Sequence, residues 1–164
     1  MGTVLDLSSA DASGLEPFKG GLYPMGITKC SPVEIKNESG EGKYPAGTGG
    51  YNVEFTVQEG EFEGRKVWNN YWILPEDYIQ TLSKEDQDKA RFANGRFVRL
   101  LVAAGIEESE IKSGSFDFNP GMLTEPMRKV MANVGIQPAK DGYDARNTIR
   151  DVKPYQNATQ SGII

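Results

Sequence analysis

The chain has 164 residues, 38% of them apolar, with a net charge of -5 and a mean hydropathy of -0.50. That length fits one domain with a real core, and no apolar run approaches the roughly 20 residues a membrane span requires. Histidine is absent and Cys30 is the single cysteine. Together these exclude a His general base, Ser-His-Asp and Cys-His nucleophiles, His- or Cys-rich metal centres and an internal disulfide.

The acidic groups Glu107, Glu108 and Glu110, and Glu85, Asp86 and Asp88, read as solvated surface rather than a catalytic or magnesium constellation. The expectation is a non-enzyme with no cofactor and no metal. Residues 1–13 lack the basic start and apolar stretch of a secretory signal, and Asp6 breaks the myristoylation pattern begun by Gly2. With one cysteine, this points to the cytoplasm and away from membranes. Net negative charge argues against coating a polyanion by charge alone. Its distribution is uneven: residues 1–64 hold 10 acidic and 4 basic side chains, residues 65–164 hold 13 and 14.

Residues 1–19, punctuated by Gly14 and Pro17, read as a leader. A first strand runs from about Leu22 to Lys36, and its Pro24 and Pro32 suit an edge or a bulge. Five glycines among Asn37–Gly50 indicate a long loop, a candidate finger carrying Lys43 and Tyr44. Gly42-Lys43-Tyr44 lacks the Ser or Thr of a phosphate loop. Strict alternation follows in Tyr51–Gln58, and again in Arg65–Leu74 after a short acidic turn. If Val67, Tyr71 and Ile73 point inward, then Lys66, Trp68, Asn70 and Trp72 share the opposite face. Two indoles between a lysine and an amide suit flat ligands such as unstacked bases.

Ser83 then caps a helix with Ala90, Ala93, Phe97, Leu100, Leu101 and Ala104 on its apolar face, stopped at Gly105. Arg91, Arg96 and Arg99 read as its solvated side. Residues 107–124 are irregular, with Phe116 and Phe118 pinning them to the core. Two strands close the chain, Met127–Ile136 with Val130, Ala132, Val134 and Ile136 in alternation, and the more polar Ala145–Tyr155, joined by a turn at Asp141-Gly142. Residues 156–164 read as a tail. Five strands with a helix between the third and fourth is the element order of an OB-like barrel, spanning residues 20–155 in a mainly β fold.

Several motifs recur in this order: Gly21-Leu22-Tyr23-Pro24, the hairpin Val57-Gln58-Glu59-Gly60-Glu61-Phe62-Glu63-Gly64-Arg65-Lys66, the helix end Ala103-Ala104-Gly105, and Asn147-Thr148-Ile149 before Val152-Lys153-Pro154-Tyr155. With them the chain resembles a phage-encoded family, long catalogued as a domain of unknown function and described as single-stranded-DNA-binding proteins with an OB-like fold. The resemblance implies non-catalytic binding of single-stranded DNA in phage replication or recombination, in the host cytoplasm, beside phage or host replication and recombination proteins. Gly162-Ile163-Ile164 does not match the acidic partner-recruiting tail of many single-strand binders.

The candidate binding residues are Trp68 and Trp72 for stacking, Asn70 for amide contacts, and Lys43 and Tyr44 on the finger. Arg65, Lys66, Lys129, Arg146, Arg150 and Lys153 are the candidate phosphate contacts. The alternative is a protein-interaction module, a virion component or an inhibitor of a host defence, which the acidic first half and uncharged tail also suit.

Overall fold

A computed structural model describes residues 2–8, 16–35, 47–140, 142 and 144–155. The finger residues Lys43 and Tyr44, residues 1 and 9–15 of the leader, Asp141 of the expected turn and the tail lie outside the described residues.

Among the described residues nine elements follow one another: β1 (Gly21–Glu34), β2 (Gly49–Val57), β3 (Lys66–Ile73), α1 (Glu76–Ile79), α2 (Lys84–Ala103), α3 (Glu108–Ile111), α4 (Gly121–Thr124), β4 (Lys129–Gln137) and β5 (Arg146–Pro154). The strands form one antiparallel sheet in the order β3-β2-β1-β4-β5. Its two outer strands, β3 and β5, curl toward one another until Cα atoms come within 8 Å, without a hydrogen-bonded ladder between them. The fold is therefore mainly β, as expected, but four helices rather than one lie between the third and fourth strands among the described residues.

The first strand corrects an expectation. Its prolines suited an edge or a bulge, yet β1 is the central strand, paired with β2 on one side and β4 on the other. The 14-residue strand changes partners along its length. Residues 21–26 face β4, and residues 25–34 face β2. Pro24 thus precedes the β2 ladder, which starts at Met25, and Pro32 lies past the β4 ladder, which ends at Gly26. Each proline occupies a stretch that a single ladder pairs, and the Pro24 carbonyl still accepts the Gln58 N–H at 2.9 Å just beyond the β2 ladder. A bulge between Ile27 and Lys29 separates the two stretches.

One sheet face carries the core. Met25, Ile27, Val53, Phe55, Val57, Val67, Tyr71, Val130, Ala132 and Val134 are buried there, which is what alternation demands of a half-buried sheet. Ile136 departs from the pattern and is exposed. The β1 ladder ends at Gly21 opposite Val134, so Ile136 overhangs with β5 as its sole strand neighbour.

The helix α2 covers the core face, packing on both outer strands. Ser83 caps it by accepting the Asp86 N–H at 3.3 Å. It ends where Gly105 takes φ 103° and the Ile106 N–H reaches the Leu101 carbonyl at 3.0 Å, the left-handed stop read from the sequence. Phe97, Leu100 and Leu101 point into the sheet, and Phe97 stacks on Tyr51 with centroids 5.6 Å apart. Phe118 closes on both rings at 4.9 and 5.2 Å. The irregular segment is thereby fastened to the core, and it contains two one-turn helices, α3 and α4, that periodicity did not reveal.

Gly50 is needed for close approach between β2 and β3. A Cβ there would collide with the Tyr71 carbonyl oxygen and lie 2.9 Å from the Trp72 Cα. Gly50→Ala should therefore cost about 2 kcal/mol, the scale of overpacking, read as a lower denaturation midpoint in urea.

Candidate nucleic-acid interface

The β2–β3 hairpin builds the wet face one cross-strand pair at a time. Lys66 lies opposite Thr56, Trp68 opposite Glu54, Asn70 opposite Asn52, and Trp72 opposite Gly50. Because side chains alternate, all four β3 residues project away from the core, as the alternation required. Trp68 is 53% exposed. Trp72 is half-buried. Neither indole is sealed inside.

Glu54 organises this face. It is only 5% exposed, a rare condition for a carboxylate unless partners compensate. Three donors do so: Thr28 Oγ1 at 2.7 Å, Lys66 Nζ at 3.0 Å and Trp68 Nε1 at 3.0 Å. The hydroxyls of Thr28 and Thr56 complete the network at 2.9 Å. Burial alone would raise the Glu54 carboxyl. The bonds from Thr28, Lys66 and Trp68, with the Lys66 charge, outweigh it and hold the group below the ordinary carboxylate value. The consequence for Trp68 is geometric: its N–H edge is fixed while much of the ring remains open to solvent.

A cleft of about 810 Å³ runs along the free edge of β3. Trp68, Asn70 and Trp72 line it, with Asn52 beneath, whose Nδ2 donates to Asn70 Oδ1 at 2.8 Å. Four cations line it too, Arg65 and Lys66 from the hairpin, Arg146 from the start of β5 and Arg96 from α2. Residues 16 and 17 form part of the rim. This segment is anchored by Asn147, which accepts the Phe18 N–H at 3.0 Å and donates to the Phe18 carbonyl at 2.8 Å. Arg65 is held in turn. Its guanidinium donates to the Glu16 carbonyl and lies 5.1 Å from the Phe18 ring centroid. Arg146 Nε donates to Gln137 Oε1 at 3.1 Å.

Folding thus gathers Arg65, Lys66, Trp68, Asn70, Trp72 and Arg146 into one place. It does not bring Lys129, Arg150 or Lys153 there. Lys129 lies at the start of β4 with its ammonium 5.4 Å from the Tyr155 ring centroid. Lys153 pairs across the ladder with Met131. Arg150 lies across Gly135 and borders a neighbouring small pocket with Tyr71, Arg96 and Arg99. The basic content of the C-terminal part is real, but successive β5 residues face opposite ways and are spread along the strand.

Sequence reading missed Arg96, Glu54 and Asn147. Arg96 carried no local mark to separate it from Arg91, which pairs with Glu76 at 2.7 Å. Glu54 was recoverable, because counting back through the turn places it opposite Trp68.

No protein-family model, curated protein or solved structure matches the chain. Among the described residues, no helix is long and apolar enough to cross a membrane, and no group of three or more Cys, Asp or Glu side chains is placed to hold a metal ion.

Proposed function

We propose that the protein binds single-stranded DNA without catalysis, stacking bases on Trp68 and Trp72 and holding phosphates with Arg65, Lys66, Arg96 and Arg146. One observation carries the reading: an exposed indole and a half-buried one share a cleft with four cations. Base-on-aromatic stacking contributes roughly 1–3 kcal/mol per base and is indifferent to sequence. Cations alongside add the salt-dependent part. A duplex offers no free base faces, so the arrangement favours single strands.

The strand order supports an OB-like barrel as the frame. In that fold a three-stranded meander is followed by a helix and two further strands, with the last strand closing against the third. Here β3 and β5 approach one another and α2 spans the gap, with the cleft beside β2 and β3. The family resemblance in the hairpin and helix-end motifs adds phage replication or recombination as the setting.

The test is oligonucleotide binding across a salt series. Three to four phosphate contacts should give log K against log salt a slope of about -2 to -3, since each contributes about -0.7 on a single strand. Duplex of the same sequence should bind far more weakly. A flat salt response, or equal affinity for duplex, would overturn the reading in favour of a protein partner at this cleft.

A further inference from the structure

Phe92 has no role in the core. It stands 65% exposed on α2, while Ala90, Phe97, Leu100 and Leu101 supply the buried face of that helix. Residues four and seven further on, Arg96 and Arg99, share its side of the helix. The Arg99 guanidinium lies 5.6 Å from the Phe92 ring centroid. Arg96 belongs to the cleft beside Trp72, and Arg96 and Arg99 together border the small pocket where β3 and β5 approach. Cations therefore continue from the cleft onto the helix surface, and they lead to an uncovered aromatic ring. Arg99 also pairs with Asp151 at 3.7 Å, with about half of the Arg99 side chain and 39% of the Asp151 side chain exposed. Such a pair holds weakly and can exchange for a phosphate. The stretch ends beyond Phe92, because Asp88 and Glu85 occupy the same helix side one and two turns earlier.

We infer that a single strand seated in the cleft leaves it past Trp72 and crosses α2, stacking a further base on Phe92 with a phosphate on Arg99. This rests on the reading above and extends the contact surface from the sheet to the helix. The occupant is set by charge and shape: arginines alternate with a flat ring, in continuity with the cleft.

The experiment measures wild-type protein, Phe92→Ala and Phe92→Tyr against oligothymidylates of about 4 to 16 nucleotides, the range of sites on such domains. The expected result is that Phe92→Ala matches wild type on the shortest strands and loses at least about 5-fold on the longest, the lower end for one stacked base. Phe92→Tyr should restore the loss. Equal affinity of Phe92→Ala and wild type at every length would overturn the extension while leaving the cleft intact. A uniform loss at all lengths would also overturn it, placing Phe92 outside a length-dependent track. Failure of wild-type protein to bind any strand would instead remove the cleft reading, and this inference with it.

Discussion

Replacing both Trp68 and Trp72 with alanine should weaken single-strand binding by about 30-fold to about 20,000-fold, corresponding to about 2–6 kcal/mol for two stacked bases. The two positions should not contribute equally. Trp68 presents the more open ring and is oriented by its bond to Glu54, so no ordering cost remains when a base arrives. Trp72 is half-buried and opposite Gly50, so part of its ring is already engaged. The single Trp68→Ala variant should accordingly lose more than Trp72→Ala. Trp68→Phe separates two effects, since it keeps an aromatic face but removes the N–H that Glu54 accepts. It should retain more affinity than Trp68→Ala. The chain has two tryptophans in all and both line the cleft, so selectively excited tryptophan fluorescence reports on this site alone and should be quenched on binding. A double variant that melts like wild type yet binds as tightly would show that stacking on β3 is not how the protein holds DNA.

The parts of this architecture that were legible in advance are those decided by neighbours in sequence. Alternation in 51–58 and 65–74 announced two strands and told the inward residues from the outward ones, because a period of two permits no other partition. Ser83 and Gly105 marked the helix ends, because capping is a local hydrogen-bond requirement. Decisions made between distant segments were not legible. That β1 changes partners midway, which makes its prolines harmless at the centre of a sheet, depends on how far β2 and β4 overlap. The position of Arg96 in the cleft depends on α2 packing against both outer strands. Glu54 falls between the two cases. The alternation correctly assigned it to the outward face, but outward did not mean solvated: Lys66 and Trp68 from the next strand and Thr28 from β1 close over it. Lys129 and Lys153 illustrate the opposite error, in which closeness in composition was taken for closeness in space.

Glu54 is where stability and the binding face meet. Glu54→Ala should destabilise the fold by about 3 kcal/mol, measured by urea denaturation at neutral pH. The full cost of breaking a buried ion pair would be higher, but the Lys66 side chain is 43% exposed and recovers water when its acceptor is lost. Thr28 retains Thr56 as a partner. The remaining loss is the unfilled space and the released Trp68 edge. Glu54→Gln should cost less, because its amide oxygen still accepts a hydrogen bond, although the charge on Lys66 is no longer balanced. The pH dependence follows from the direction of the shift. The carboxyl is held below its ordinary value in the folded protein, so the folded state favours the ionised form. Its contribution is fully present above the unfolded value of about 4.3 and is lost as pH falls through the lower folded value. Wild-type stability should therefore drop more steeply below about pH 4.3 than that of Glu54→Gln, in which this carboxyl is absent. Binding should respond at neutral pH as well. With the indole no longer tied at its N–H, Glu54→Ala should raise the dissociation rate of a bound strand, even where excess ligand or mild conditions keep the variant folded. If Glu54→Ala instead unfolds at the wild-type urea midpoint and Trp68 fluorescence is unchanged, the carboxylate does not hold the indole in place.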